Sequence, residues 1–347
     1  GADALAALRG YTGQGTVIAV LDSGIDYTHA ALGGPGTQQA YALAAANAQV
    51  IGEEYEGRSL FPTAKVVGGW DFVGPNYTSP DLCPPAAEAA GLCTSTPHPD
   101  PDPLDQYGHG TSVAGIAAAA GNNRLGIAGV AYDATLAGLR LLAGPVTDLE
   151  ISEALTWEMT PDIYNDYKNI DIYNNSWGPT DDGRLKPDVS APGCQTTADK
   201  GVTSCSYDLD TYAPTYAAHC GTSMSAPTVT GLMALLLEDY REQFPENDDP
   251  RNSTLKSLLA HNAVDRGNAG PDYQFGYGSV RIQRTIDFMR TGGFLEGQVF
   301  QGQAFTVPVT VVAGTAELKV TLAWDDYPGV PNSTRDLVND LDLRVYS

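Results

Sequence analysis

Basic residues are scarce in this sequence: 19 Lys and Arg stand against 42 Asp and Glu in 347 residues, a formal net charge of −23. A surface of that sign repels the phosphates of nucleic acid, so no nucleic-acid partner is expected. It favours solubility and cationic partners instead. Long apolar runs are missing too. The longest, around Gly231–Leu237, is far too short to span a bilayer, so no membrane partner is expected. The first ten residues, GADALAALRG, lack a basic stretch followed by an apolar core and do not read as a signal peptide. The reading is a processed chain or a fragment.

Cysteine is sparse and odd in number, five in all. Cys83 and Cys93 flank a short loop and are able to pair, while Cys194, Cys205 and Cys220 cluster later. Disulfides suit a secreted protein, and an odd count leaves one thiol over, buried or awaiting a partner. Sequons stand at Asn76, Asn174, Asn252 and Asn332 and point the same way. The expected location is extracellular.

The apolar fraction of 42% is that of a globular core. Residues 16–21, 66–73, 135–142 and 170–173 read as short, buried strands. Helical patterns alternate with them or follow them, at 112–120, 148–157, 226–242 and 254–262. Strands alternating with helices predict an α/β fold with a parallel sheet covered on both faces. Residues 81–104, rich in Pro, Asp, Cys and Ala, read as a surface insertion. Beyond residue 290 the pattern changes: AFTVPVTVV (304–312) and ELKVTLAW (317–324) alternate as antiparallel strands do. The division expected is a domain over 1–290 and a partial β-sandwich over 291–347.

Three short passages carry chemistry. In TVIAVLDSGID (16–26), Asp22 ends an apolar strand, the sheet edge where sites gather in open α/β folds. An Asp there is more often a turn residue or helix cap. In GHGTSVAGIAAAA (108–120), His109 sits between glycines at the start of a helix of small residues. In GTSMSAPTVTGLMALLL (221–237), Ser223 opens a helix, where serine usually serves as an N-cap. At a helix N-terminus a serine is equally placed as a nucleophile whose developing negative charge meets the positive end of the helix.

Together, in the order Asp, His, Ser, these motifs resemble the subtilisin-like serine proteases (subtilases, peptidase family S8) over residues 10–290. The resemblance implies a parallel sheet flanked by helices and hydrolysis of protein or peptide substrates by Asp22, His109 and Ser223. Ser223 would attack the carbonyl, His109 would carry the proton, and Asp22 would orient the imidazole. An acyl-enzyme would form and be hydrolysed by water. No cofactor is implied for the chemistry. Structural calcium is implied at the loop after the His helix, near 122–127, although the family's partner carboxylate is replaced by His29-Ala30-Ala31-Leu32. No oligomeric state is read from the sequence.

The middle of the chain is similar to the kexin-like branch. There the resemblance assigns Ser176, Trp177 and Gly178 to the strand that lines the substrate cleft. It assigns Asp181 to reception of a basic side chain. LKPDVSAPG, FGYGSV and LVNDLDLRV are similar instead to bacterial subtilases with a C-terminal β-sandwich. Residues 174–193, NNSWGPTDDGRLKPDVSAPG, thus suit two places that the family keeps apart. The expectation is that an internal segment near 178–185 is missing, and with it the Asn that binds the oxyanion. Ala120-Gly121-Asn122 matches the loop after the His helix and is no substitute, so no oxyanion Asn is named. Two functions follow: a serine endopeptidase, or an impaired relative that acts as a binding module.

Overall fold

The structure is a computed structural model and describes residues 10–159, 169–177, 186–194, 201–208, 211, 213–327 and 337–346. The chain divides into two compact units, residues 1–182 with 191–238, and residues 183–190 with 239–347.

The first unit is built on four parallel strands. They are β1 (Val17–Asp22), β4 (Val66–Asp71), β5 (Thr135–Arg140) and β6 (Ile172–Asn175), in the spatial order β4-β5-β1-β6. Each matches one of the four apolar runs, to within a few residues at its ends. β1 is central and buried along its whole length, which is why VIAVL is apolar without alternation. Asp22 pairs with Arg140, so both lie at the same carboxyl edge of the sheet. Behind that edge, Ala19, Leu21, Phe72, Val73, Tyr77, Ala137, Leu139, Leu141 and Ala154 form a core cluster. The short strands β2 (Glu54–Tyr55) and β3 (Arg58–Ser59) make a small antiparallel pair.

Helices α1 (Gln38–Ala46), α2 (Pro85–Ala89), α3 (His109–Ala118) and α4 (Asp148–Leu155) occupy the connections. Thr147 and Glu150 close a capping box at the start of α4. β7 (Val202–Tyr207) and β8 (Pro214–His219) form an antiparallel pair that sequence periodicity did not single out. Helix α5 (Thr222–Gln243) begins four residues before the helix expected at 226.

In the second unit, α6 (Asn252–Asn262) and α7 (Ile282–Arg290) form the helical part. Arg290, at the end of α7, pairs with the buried carboxylate of Asp239. The antiparallel strands expected at 304–312 and 317–324 carry no ladder among the described residues. Phe305, Val307, Val309, Leu318, Val320 and Leu322 are exposed there. Alternation names the face that a strand must bury, but two short strands alone supply too little apolar partner surface.

Two disulfides form, Cys83–Cys93 and Cys194–Cys220, and Cys205 remains a free buried thiol. Among the described residues no helix is long and apolar enough to cross a membrane.

Candidate active site

The carboxyl end of β1 delivers Asp22 fully buried. The His109 imidazole comes from the first turn of α3, and its Nδ1 lies 2.7 Å from Asp22 Oδ1. Glycines on either side make this approach possible. Gly108 adopts φ +85°, a left-handed turn that L side chains resist, and it starts the helix. A Cβ on Gly110 would stand 2.2 Å from the Gly24 carbonyl oxygen, so only glycine lets α3 lie against the strand that carries Asp22.

Asp22 Oδ1 also accepts from Ser23 N–H at 2.7 Å, while Oδ2 is buried without a partner. The carboxylate thus faces the imidazole with one oxygen uncompensated, which favours a positive charge on the ring. The Asp22 hydrogen bond raises the His109 pKa above its ordinary value, against partial burial, and the charges of Asp22 and Asp105 add to the rise. With Nδ1 held as a donor to Asp22, Nε2 is the nitrogen left free to accept a proton.

Ser223 lies in the first turn of α5. Its Oγ donates to the Ser176 carbonyl at 3.0 Å, and Ser176 Oγ donates in return to the Ser223 carbonyl at 3.2 Å. The reason lies four residues on. Pro227 stands inside the helix and has no N–H, so the Ser223 carbonyl loses the donor that an α-helix would give it. Ser176 fills the vacancy. Asn174 Nδ2 donates to Ser176 Oγ at 3.0 Å and so turns the Ser176 proton towards Ser223. Thr230 Oγ1 in turn donates to Asn174 Oδ1 at 2.8 Å. A relay from Thr230 through Asn174 and Ser176 therefore ties the end of β6 to the nucleophile's turn. Asn174 is 1% exposed, so its sequon is closed to modification in the folded chain, whereas Asn76 and Asn252 are exposed.

Trp177 is half-buried against the core cluster, and its indole N–H donates to the Leu21 carbonyl at 2.7 Å. The side chain is thus anchored to β1 next to Asp22. Gly178, Asp181 and the rest of 178–185 lie outside the described residues, as does Asn332.

His219, at the end of β8, also belongs to this neighbourhood. Ser112 Oγ donates to the Cys205 carbonyl at 2.7 Å, so it must accept at its 2.9 Å contact with His219 Nε2. That places a proton on His219 Nε2. Burial, and then the charge of nearby His109, lower the His219 pKa. Neither the Asn174 relay nor His219 was visible from motif spacing. A buried asparagine two residues before a serine has no periodic signature, and His219 falls in a strand pair that hydrophobic periodicity does not mark.

The loop at 122–127, NNRLGI, offers carbonyl and amide oxygens but no carboxylate, and Asn123 Oδ1 accepts from Leu125 N–H at 3.0 Å. In the segment where the family carboxylate is absent, His29 Nδ1 accepts from Ala31 N–H and Nε2 donates to the Thr215 carbonyl. Among the described residues no group of three or more His, Cys, Asp or Glu is placed to hold a metal ion.

The profile of the Subtilase family matches residues 13–183 and 178–278, two stretches that share 178–183. Proprotein convertase subtilisin/kexin type 6 of Homo sapiens is 31% identical over 185 residues, which is 53% of this chain and 13% of that protein. A dibasic-processing endoprotease of Schizosaccharomyces pombe is 33% identical over 187 residues, 54% of this chain and 18% of that protein. The chain therefore spans less than a fifth of the length of these relatives. A solved protease from Pseudoalteromonas arctica superposes with a TM-score of 0.55 at 21% identity, covering 81% of this chain and 92% of that one. That likeness supports the fold.

Proposed function

We propose that this chain, which belongs to the subtilase family of serine endopeptidases, hydrolyses peptide bonds through Asp22, His109 and Ser223. The observation that carries the proposal is the 2.7 Å contact between His109 Nδ1 and the buried Asp22, in the same unit as a serine in the first turn of a 22-residue helix. In the reaction the Ser223 hydroxyl turns from the Ser176 carbonyl to His109 Nε2, which takes its proton as Oγ attacks the scissile carbonyl. Asp22 stabilises the imidazolium that results, and His109 then protonates the leaving amine. Water, activated by the same imidazole, releases the acyl group.

The Ser223 backbone N–H lies in the first helical turn, where it has no intrahelical acceptor, and it is the oxyanion donor this chain offers. A second, side-chain donor is the element expected to be missing. In subtilisin, removal of one such donor costs about 10²–10³ in kcat. The substrates are proteins or peptides. The Schizosaccharomyces pombe relative is a dibasic-processing endoprotease, and by the same logic Asp181 would receive a basic side chain before the scissile bond. Two disulfides support an oxidising, secretory setting.

A second reading, an impaired subtilase that binds without cleaving, has two observations in its favour. Ser223 Oγ bonds Ser176 rather than His109, and the two family matches overlap over 178–183, where the substrate strand runs into the pre-serine loop. A fluorophosphonate probe, applied to the chain and to Ser223→Ala, separates the two. Labelling that depends on Ser223 supports the protease, and no labelling of a cooperatively folded chain supports the binding module.

A further inference from the structure

Asp105 is fully buried, carries no cationic partner among the described residues, and stands four residues before His109. Its carboxylate accepts five hydrogen bonds. Oδ1 takes Tyr107 N–H at 2.8 Å, Gly108 N–H at 2.9 Å and Ser23 Oγ at 3.0 Å. Oδ2 takes Thr111 N–H at 2.9 Å and Thr111 Oγ1 at 2.6 Å. Four of these donors are backbone or side-chain groups within two residues of His109, on both sides of it.

Both hydroxyls have their protons committed to Asp105, because each already accepts elsewhere. Ser23 Oγ accepts from Gly110 N–H at 2.9 Å, and Thr111 Oγ1 accepts from Asp26 N–H at 2.9 Å. Among the described residues, every hydrogen bond of the carboxyl group is one it accepts, from five donors. A neutral carboxylic acid would have to give up one of these bonds, so the network selects the ionised form although burial pushes the Asp105 pKa up. Ser23, the next residue after Asp22, also links the two carboxylates through one turn of backbone.

We infer that Asp105 is a positioning residue for the reaction: its buried carboxylate clamps the turn that presents His109 and, together with Asp22, stabilises the charged imidazolium. It touches neither substrate nor the reacting atoms. It acts through the backbone of 107–111 and through a negative charge that no cation in contact neutralises. The charged or titratable groups around the pair are Asp22 on β1, Asp26 in the loop after β1, and His219 on β8. Of these, His219 is biased towards its neutral form by burial and by the charge of His109, and the carboxylates whose charges raise the His109 pKa are Asp22 and Asp105. This inference rests on the triad reading above.

The test is an NMR titration of His109, assigned by its loss in His109→Ala, in the wild type and in Asp105→Asn, alongside the pH dependence of kcat/KM. Removal of the charge should lower the His109 midpoint by roughly half a unit or more. The acidic limb of kcat/KM should move down with it, with kcat reduced about tenfold and KM little changed. A His109 midpoint that stays put in a folded Asp105→Asn overturns the inference. Should that variant not fold, Thr111→Val removes one donor and keeps the charge. A fall in kcat with an unmoved midpoint then supports the clamp, and an unchanged kcat overturns it. Wild-type protein that no fluorophosphonate labels sinks the triad reading alone, because the titration still decides the role of Asp105.

Discussion

Ser176 and Ser223 exchange hydrogen bonds, each hydroxyl on the other's carbonyl, at 3.2 and 3.0 Å. The exchange exists because Pro227 leaves the Ser223 carbonyl without its helical donor, and because Asn174 turns the Ser176 proton the right way. Ser176→Ala should therefore leave a carbonyl of the nucleophile's turn unsatisfied and cost about 1–3 kcal/mol of stability. Asn174→Ala should cost a similar amount, and the double variant should cost clearly less than the two added, because they break one relay. Thermal unfolding of the four proteins checks this. Additive losses would mean that the relay is a list of separate contacts.

The pH dependence of activity follows from His109. Its pKa is raised by the bond to Asp22, so the imidazole stays protonated, and unable to accept from Ser223, to a higher pH than a free histidine would. Peptide hydrolysis should rise with pH through a midpoint above about 6.5, the ordinary histidine value. Asp22→Asn should move that midpoint down and remove most of the rate, by about 10⁴ in kcat if the wrong tautomer results. A wild-type midpoint below the ordinary value would contradict the pairing seen between His109 Nδ1 and Asp22.

Much of this site was legible because its chemistry is concentrated in contiguous motifs. Asp22, His109 and Ser223 each sit at an element boundary where glycine or a polar residue interrupts an apolar pattern, and the four strands are marked by runs buried on both faces. What was not legible depends on partners far apart in the chain. Asn174 acquires its role from Thr230, 56 positions away, and Asp105 from Ser23, 82 positions away. The pair β7–β8 mixes Ser, Thr and Cys with Tyr, and its burial is set by α3 rather than by its own alternation. The C-terminal Val and Leu positions show the opposite error. Their alternation is clear, yet a ladder also needs a partner surface that periodicity does not supply.

Cys220 lies three residues before Ser223, and its disulfide to Cys194 ties the start of α5 to the pre-serine loop; Gly221 N–H adds a bond to the Gly193 carbonyl at 3.0 Å. Closure of this 26-residue separation is worth about 3–4 kcal/mol on chain-entropy grounds. Cys194→Ala/Cys220→Ala should lower fluorophosphonate labelling and melting temperature together. Cys83→Ala/Cys93→Ala, in a loop outside all three motifs, should lower stability with labelling kept. Equal labelling of both double variants would show that the Cys194–Cys220 link is irrelevant to the nucleophile's seat.

Three buried aspartates should make the stability of the fold depend on pH. Burial raises the pKa of Asp26 to about 6, that of Asp100 to about 7 and that of Asp102 to about 8, and neighbouring carboxylates (Asp105, Asp71 and Asp100 respectively) push the same way. In the unfolded chain each titrates near about 3.9. The folded state thus holds these protons to higher pH than the unfolded state does. The stability they contribute is fully present below about pH 4 and is lost progressively as pH rises towards about 8. Asp102 is the most informative of them. Its oxygens accept from the Tyr27 hydroxyl at 2.9 and 3.1 Å and from Leu104 N–H at 3.1 Å. Asparagine keeps an acceptor oxygen for these contacts and cannot ionise. The melting temperature of the wild type should therefore fall between pH 6 and pH 9, and Asp102→Asn should flatten that fall and be the more stable protein at the alkaline end. A variant whose melting temperature tracks the wild type across the whole range would mean that Asp102 is ionised in the fold at neutral pH, with its charge balanced by a partner other than Tyr27.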